Sequence, residues 1–209
     1  MNQAFFALGR EDPKDVWQRI RGRDGGATLS GGRNYVNSVA TLISSGQFFY
    51  AYSHAPMHEI QVPPNSFSVT VFRDPVERVL SHYRMINEYL EKGIDAHWLG
   101  TESKWLGKSL ADFLENIPKE RLLNQLYMFS KNFDLEEAFT NISELSHFFF
   151  TEEFGEGMEE LKSKLKLPLA PLHVRKGSWQ IDLDKKVLVQ LRSSLQVEYQ
   201  LITQLKAMN

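Results

Sequence analysis

Cysteine is absent from the 209 residues, so neither a disulfide framework nor thiolate chemistry is open to this chain. Long apolar runs are absent too. None reaches the roughly 18 residues that a membrane-spanning helix needs. A targeting signal is not evident either: the start, Met1-Asn-Gln-Ala-Phe-Phe-Ala-Leu-Gly9, is apolar but short, with no basic residue ahead of it. These absences point to a cytoplasmic protein. Charge of one sign is not in excess. The 24 Lys and Arg against 26 Asp and Glu leave a formal net charge of −2, which argues against nucleic acid as the main partner. Internal repeats and low-complexity segments are missing as well. What is present is enough apolar material for a sizeable core, with 42% hydrophobic and 12% aromatic residues. The length suits a single domain spanning residues 1–209.

The most informative stretch is Phe67-Ser-Val-Thr-Val-Phe-Arg-Asp-Pro-Val-Glu-Arg-Val-Leu-Ser-His-Tyr83. Phe67 to Phe72 reads as a buried strand, rich in β-branched and aromatic residues. Arg73-Asp74-Pro75 stops it, because Asp before Pro favours a turn and Pro suits the first position of a helix. Val76, Val79, Leu80 and Tyr83 then recur at helical spacing. The unit is strand, tight turn, helix, with Arg73 at the strand's carboxyl end and Ser81 two turns into the helix. In open α/β sheets that edge is where ligands sit. Arg73 can fork onto a phosphate and Ser81 can donate to one of its oxygens. Equally open from these residues alone is a plain helix start, with Arg78 pairing Asp74 or Glu77 on the surface.

Around this unit the pattern predicts further elements. Asp12-Pro13 starts a short helix carrying Val16, Trp17 and Ile20. Gly22, Gly25, Gly26, Gly31 and Gly32 mark a flexible loop. It only superficially resembles a phosphate cradle, since no buried strand precedes it and Arg33-Asn34 stands where Lys-Ser/Thr would follow. Tyr35 to Ser45 has helical spacing closed by Gly46. Phe48 to Ser53 reads as a short strand ending at His54. His97 to Lys108 is irregular. Helices follow at Ser109–Leu114, Arg121–Phe129 and Leu135–Asn141, then a strand at Phe148–Phe150 and a helix over Gly155–Leu165. Lys185 to Met208 reads as one long amphipathic helix.

The run Arg73-Asp74-Pro75-Val76-Glu77-Arg78-Val79-Leu80-Ser81-His82-Tyr83 resembles the 3′-phosphate-binding segment of sulfotransferases that use 3′-phosphoadenosine 5′-phosphosulfate (PAPS). It is most like the carbohydrate branch that contains the heparan sulfate and uronyl 2-O-sulfotransferases. Asn124-Gln-Leu-Tyr127, Glu136-Glu-Ala138, Phe148-Phe-Phe-Thr-Glu152 and His173-Val-Arg-Lys-Gly177 follow that family's usual order, so the resemblance covers about residues 48–205. It implies an α/β fold with a P-loop-NTPase-like core, a short parallel sheet flanked by helices, and residues 1–47 as a diverged or truncated N-terminal part. The implied activity moves a sulfuryl group from PAPS to a hydroxyl of a sugar, a polysaccharide or another small acceptor. Arg73 and Ser81 then hold the 3′-phosphate. Arg175 and Lys176 match a His-Leu-Arg-Lys-Thr-like loop that covers the cofactor.

For chemistry, an imidazole at a strand end titrates near neutrality and can take a proton from a sugar hydroxyl. The 2-O-sulfotransferases carry a His-Gly-His-Val-like stretch there, which by comparison makes His54 the general base and puts Tyr52 in place of the preceding His. His58 is an alternative base, and no third ligand supports a metal at His54 and His58. Trp98, Trp105 and Trp179 could stack on sugar rings. One family element is not found: the first strand and its Pro-Lys-Thr-Gly-Gly-Thr-like loop, whose Lys serves the bridging oxygen of the donor. The chain reads either as a shortened active enzyme or as a relative that kept the 3′-phosphate half and binds nucleotide or glycan without catalysis. Arg33 or Lys176 would have to supply the missing charge. A P-loop kinase relative is a third reading, disfavoured by the lack of Gly-Lys-Ser/Thr. The acceptor and the oligomeric state are not readable.

Overall fold

The computed structural model describes residues 1–21, 26–96, 98–170 and 184–208. In chain order the helices are α1 (Asn2–Phe6), α2 (Pro13–Ile20), α3 (Ala40–Ser44), α4 (Pro75–Glu91), α5 (Leu99–Glu102), α6 (Leu110–Asn116), α7 (Lys119–Leu122), α8 (Asn124–Tyr127), α9 (Leu135–Ser143), α10 (Phe154–Leu165), α11 (Lys185–Ser194) and α12 (Gln196–Lys206). The strands are β1 (Ala27–Ser30), β2 (Arg33–Asn37), β3 (Tyr50–Tyr52), β4 (Val69–Phe72) and β5 (His147–Phe150). The fold is mixed α/β, as expected, with short strands flanked by helices. The chain divides into two compact units, Met1–Val71 with Ile142–Val174, and Phe72–Asn141 with Arg175–Asn209.

In the first unit β1 and β2 form an antiparallel hairpin, with Ala27 opposite Val36 and Ser30 opposite Arg33. Gly31 and Gly32 make its two-residue turn at φ 54° and 76°. Such a turn requires the left-handed region at both positions. A side chain on Gly31 would also run into the Gly9 carbonyl at 2.2 Å. Gly31 and Gly32 therefore form a hairpin turn where a flexible loop was expected, while Gly22 and Gly25 lie outside the described residues. The expected helix from Tyr35 is also corrected: residues up to Asn37 belong to β2, and only Ala40–Ser44 is helical. Tyr35 is fully buried and its hydroxyl donates to the Phe5 carbonyl at 3.1 Å. Burial of an aromatic next to a β-branched residue outweighs a weak helical spacing over so short a run.

β2 pairs in parallel with β3, Tyr35 opposite Tyr50 and Asn37 opposite Tyr52. β4 pairs with β5 in a separate two-stranded sheet. The strand before His54 and the central strand β4 thus lie in different sheets. The core of this unit is aromatic. Phe6 is fully buried, with the rings of Trp17, Tyr35, Tyr50 and Tyr52 at 5.9, 5.6, 6.0 and 6.2 Å. Helix α10 packs on β5 through Gly157, where an added methyl would lie 2.4 Å from the Phe149 ring.

His147, at the start of β5, is buried and accepts from the Lys164 ammonium at 2.9 Å through Nδ1. Burial and then the Lys164 charge hold its pKa below the usual histidine value, against a weaker opposing pull from Glu160. The folded state therefore favours neutral His147. Its stabilisation is present above the unfolded value of about 6.5 and is lost as the pH falls from there through the lower folded value. Urea unfolding midpoints of the wild type should drop more steeply from pH 7 to pH 5 than those of His147→Gln. Equal slopes would refute this assignment.

The second unit is built on α4, whose Val76, Val79, Leu80, Tyr83 and Ile86 are buried against Leu99, Phe113, Leu191 and Leu195. Two expected helices are each broken. Arg121–Phe129 divides at Leu123 (φ −103°, ψ 44°), and the C-terminal helix divides at Leu195 (φ −100°, ψ 9°). No described helix is long and apolar enough to cross a membrane.

Candidate functional site

The turn between β4 and α4 is held from three directions, all within the second unit. The side-chain oxygen of Gln125 accepts from the Arg73 backbone N–H at 2.8 Å, and its amide donates to the Arg73 carbonyl at 3.0 Å. Asp74 caps α4, accepting from the Glu77 N–H at 2.9 Å, with Pro75 at the first helical position. The Tyr199 hydroxyl donates to the other Asp74 oxygen at 3.1 Å. These bonds fix the Arg73 backbone at the head of α4.

The two arginines of the motif serve different ends. Arg78 turns inward. Its guanidinium donates to the carbonyls of Arg121 (3.0 Å) and Leu122, and meets the Glu198 carboxylate at 3.2 Å. Glu198 is fully buried, and its second oxygen accepts from the N–H groups of Gln125 at 2.7 Å and Leu126 at 3.2 Å. Those N–H groups open α8, after the break at Leu123. A surface pairing of Arg78 with Asp74 or Glu77 is therefore replaced by an internal one with Glu198.

Arg73 turns outward, with its side chain 37% exposed. Its Nη2 lies 3.7 Å from Oε2 of Glu77, and the same oxygen lies 3.8 Å from Nη1 of Arg84. Both separations are too long for hydrogen bonds. Ser81 stands one turn beyond Glu77 and one turn before Arg84, on the same side of the helix. Among the described residues neither guanidinium and no Ser81 hydroxyl donates a hydrogen bond to the protein. The result is a solvent-facing group of donors with capacity to spare, suited to an oxyanion.

Other expected residues fare differently. His54 is exposed, two residues past β3 in the first unit, with its ring edge-on to Tyr52 at 6.2 Å. Tyr52 stacks on Trp17 at 5.6 Å, and burial raises its pKa to about 12, which keeps the hydroxyl protonated. Arg33 is committed to structure: it donates to the Leu8 carbonyl and lies over the Phe49 ring at 4.8 Å. That use removes it as a stand-in for the missing cation. His58 is exposed in a short loop helix, and no described cluster of three or more His, Asp or Glu could hold a metal. Trp98 packs on Tyr89 at 5.4 Å and Trp105 on His82 at 6.1 Å, so both serve the core of the second unit. Arg175, Lys176 and Trp179 lie outside the described residues.

Sequence reasoning missed Gln125, Glu198, Tyr199 and Arg84. Arg84 was readable, three positions beyond Ser81. Gln125 lies 52 residues from Arg73, and Glu198 lies 120 from Arg78, beyond the reach of any local pattern. Comparison with protein-family models, curated proteins and solved structures found no match to this chain.

Proposed function

We propose that this protein is a PAPS-dependent sulfotransferase acting on a hydroxyl of a sugar, a polysaccharide or another small acceptor. The observation that carries the reading is the outward Arg73 beside the Ser81 face of α4, with unspent donors at the end of β4. Bound PAPS would supply the activated sulfuryl group. In-line transfer of such a group asks the protein chiefly for positioning and for cationic stabilisation of oxygens. Arg73 and Ser81 hold the 3′-phosphate in this reading. His54 is the general base, which as neutral imidazole takes the acceptor's proton. Arg175 and Lys176 belong to the proposed cofactor-covering segment.

Calorimetry with 3′-phosphoadenosine 5′-phosphate tests the site. Wild-type protein should bind, and Arg73→Ala should weaken binding by about ten- to a hundred-fold, the cost of a charge-assisted pair. An absence of wild-type binding, or unchanged affinity after Arg73→Ala, refutes the assignment. A second reading is favoured by the lack of a Pro-Lys-Thr-like loop in these 209 residues. It is a protein that binds nucleotide or glycan on a sulfotransferase-like core without transferring sulfate. Transfer of radiolabelled sulfate from PAPS to any acceptor by the pure protein eliminates that alternative.

A further inference from the structure

We infer that Arg84 is a third donor of the anion site and that Glu77 is a built-in competitor for it, so that the site selects a phosphate monoester dianion over singly charged anions. The inference deepens the phosphate site proposed above and depends on that reading only for the adenosine portion of the ligand.

The argument rests on one carboxylate oxygen. Oε2 of Glu77 lies 3.7 Å from Arg73 and 3.8 Å from Arg84, between the two guanidiniums and bonded to neither. Glu77 is the more exposed of the three, at 49%, against 37% for Arg73 and 27% for Arg84. A carboxylate so placed lowers the repulsion between two like charges without consuming their donors. Ser81 adds a hydroxyl on the same helical side. An entering anion must displace the Glu77 charge or lie beside it. A dianion with three acceptor oxygens gains bonds from Arg73, Ser81 and Arg84 that outweigh this repulsion. A monoanion gains less and meets the same carboxylate. Arg78, although nearer to Arg73 in sequence, contributes nothing here, because its guanidinium is engaged with Glu198 and backbone carbonyls.

The test titrates full-length wild type, Arg84→Ala, Arg84→Lys and Glu77→Gln with 3′-phosphoadenosine 5′-phosphate by calorimetry, and with inorganic phosphate by NMR. Arg84→Ala should weaken both ligands about ten-fold, one charge-assisted hydrogen bond, with part of the loss recovered in Arg84→Lys. Glu77→Gln should tighten both by roughly three- to ten-fold. A gain in affinity cannot arise from a damaged fold, so this variant decides even if Arg84→Ala melts early. Nucleotide binding that is lost in Arg73→Ala but unchanged in Arg84→Ala and Glu77→Gln overturns the inference and leaves the sulfotransferase reading standing. Phosphate binding that needs Arg84, without nucleotide binding, overturns that reading and keeps the inference. Failure of wild type to bind either ligand overturns both.

Discussion

Glu198→Ala is expected to lower the folding free energy by about 3–5 kcal/mol, the usual cost of removing one partner of a buried ion pair. The Glu198 carboxylate is fully buried and serves three groups: the Arg78 guanidinium, and the N–H groups of Gln125 and Leu126. Alanine leaves the largely buried Arg78 without its counterion and leaves two helix-opening N–H groups unpaired. The damage should extend to ligand binding. Gln125 is the residue whose side chain holds the Arg73 backbone, and loss of its own N–H partner loosens that hold. Urea denaturation read by circular dichroism measures the first effect. A loss below about 1 kcal/mol would mean that the ion pair contributes no more than an exposed one. Replacing both partners by apolar residues, Arg78→Met with Glu198→Leu, should recover only part of the stability, because no charge is then buried unpaired but the Gln125 and Leu126 N–H groups still lack their acceptor.

Phe6→Ala should cost the protein a comparable amount, about 3–5 kcal/mol. Phe6 is fully buried at the centre of four aromatic neighbours in the first unit. Truncation removes the transfer energy of the ring and leaves a void that these large side chains, with Tyr52 stacked on both Trp17 and Tyr50, cannot readily close. Leu29→Ala is the control. Leu29 is 68% exposed on β1, and its loss should change the unfolding midpoint by less than about 0.5 kcal/mol equivalent. If the two variants unfold alike, the aromatic cluster is not the core that its burial describes.

Local signals were read well where a short segment carries its own reason for its shape. Asp12-Pro13 and Asp74-Pro75 both start helices, and in each case the Asp side chain caps the first turn. Ser109 caps α6 in the same way. Periodicity misled where the run was short or where a buried group distant in sequence intervened. Tyr35 and Val36 fit a helical pattern, yet the core that Phe6 offers to Tyr35 made them a strand. The C-terminal segment is periodic throughout, yet it breaks at Leu195, just before Glu198 reaches Arg78 and the start of α8 and Tyr199 reaches the β4–α4 turn. The role of Asn124-Gln-Leu-Tyr127 was visible only as part of a succession of motifs, whereas the structure makes Gln125 a clamp on Arg73.

What the sequence by itself determined is the strand, turn and helix around Arg73-Asp74-Pro75, together with the helical side shared by Glu77, Ser81 and Arg84. Those features depend on backbone preferences and on a fixed rise per residue, which neighbouring positions specify. Tertiary structure alone decided which arginine of the motif faces solvent. A guanidinium is taken inward only where a buried carboxylate and backbone carbonyls satisfy it, and for Arg78 that carboxylate arrives from Glu198, 120 positions along the chain.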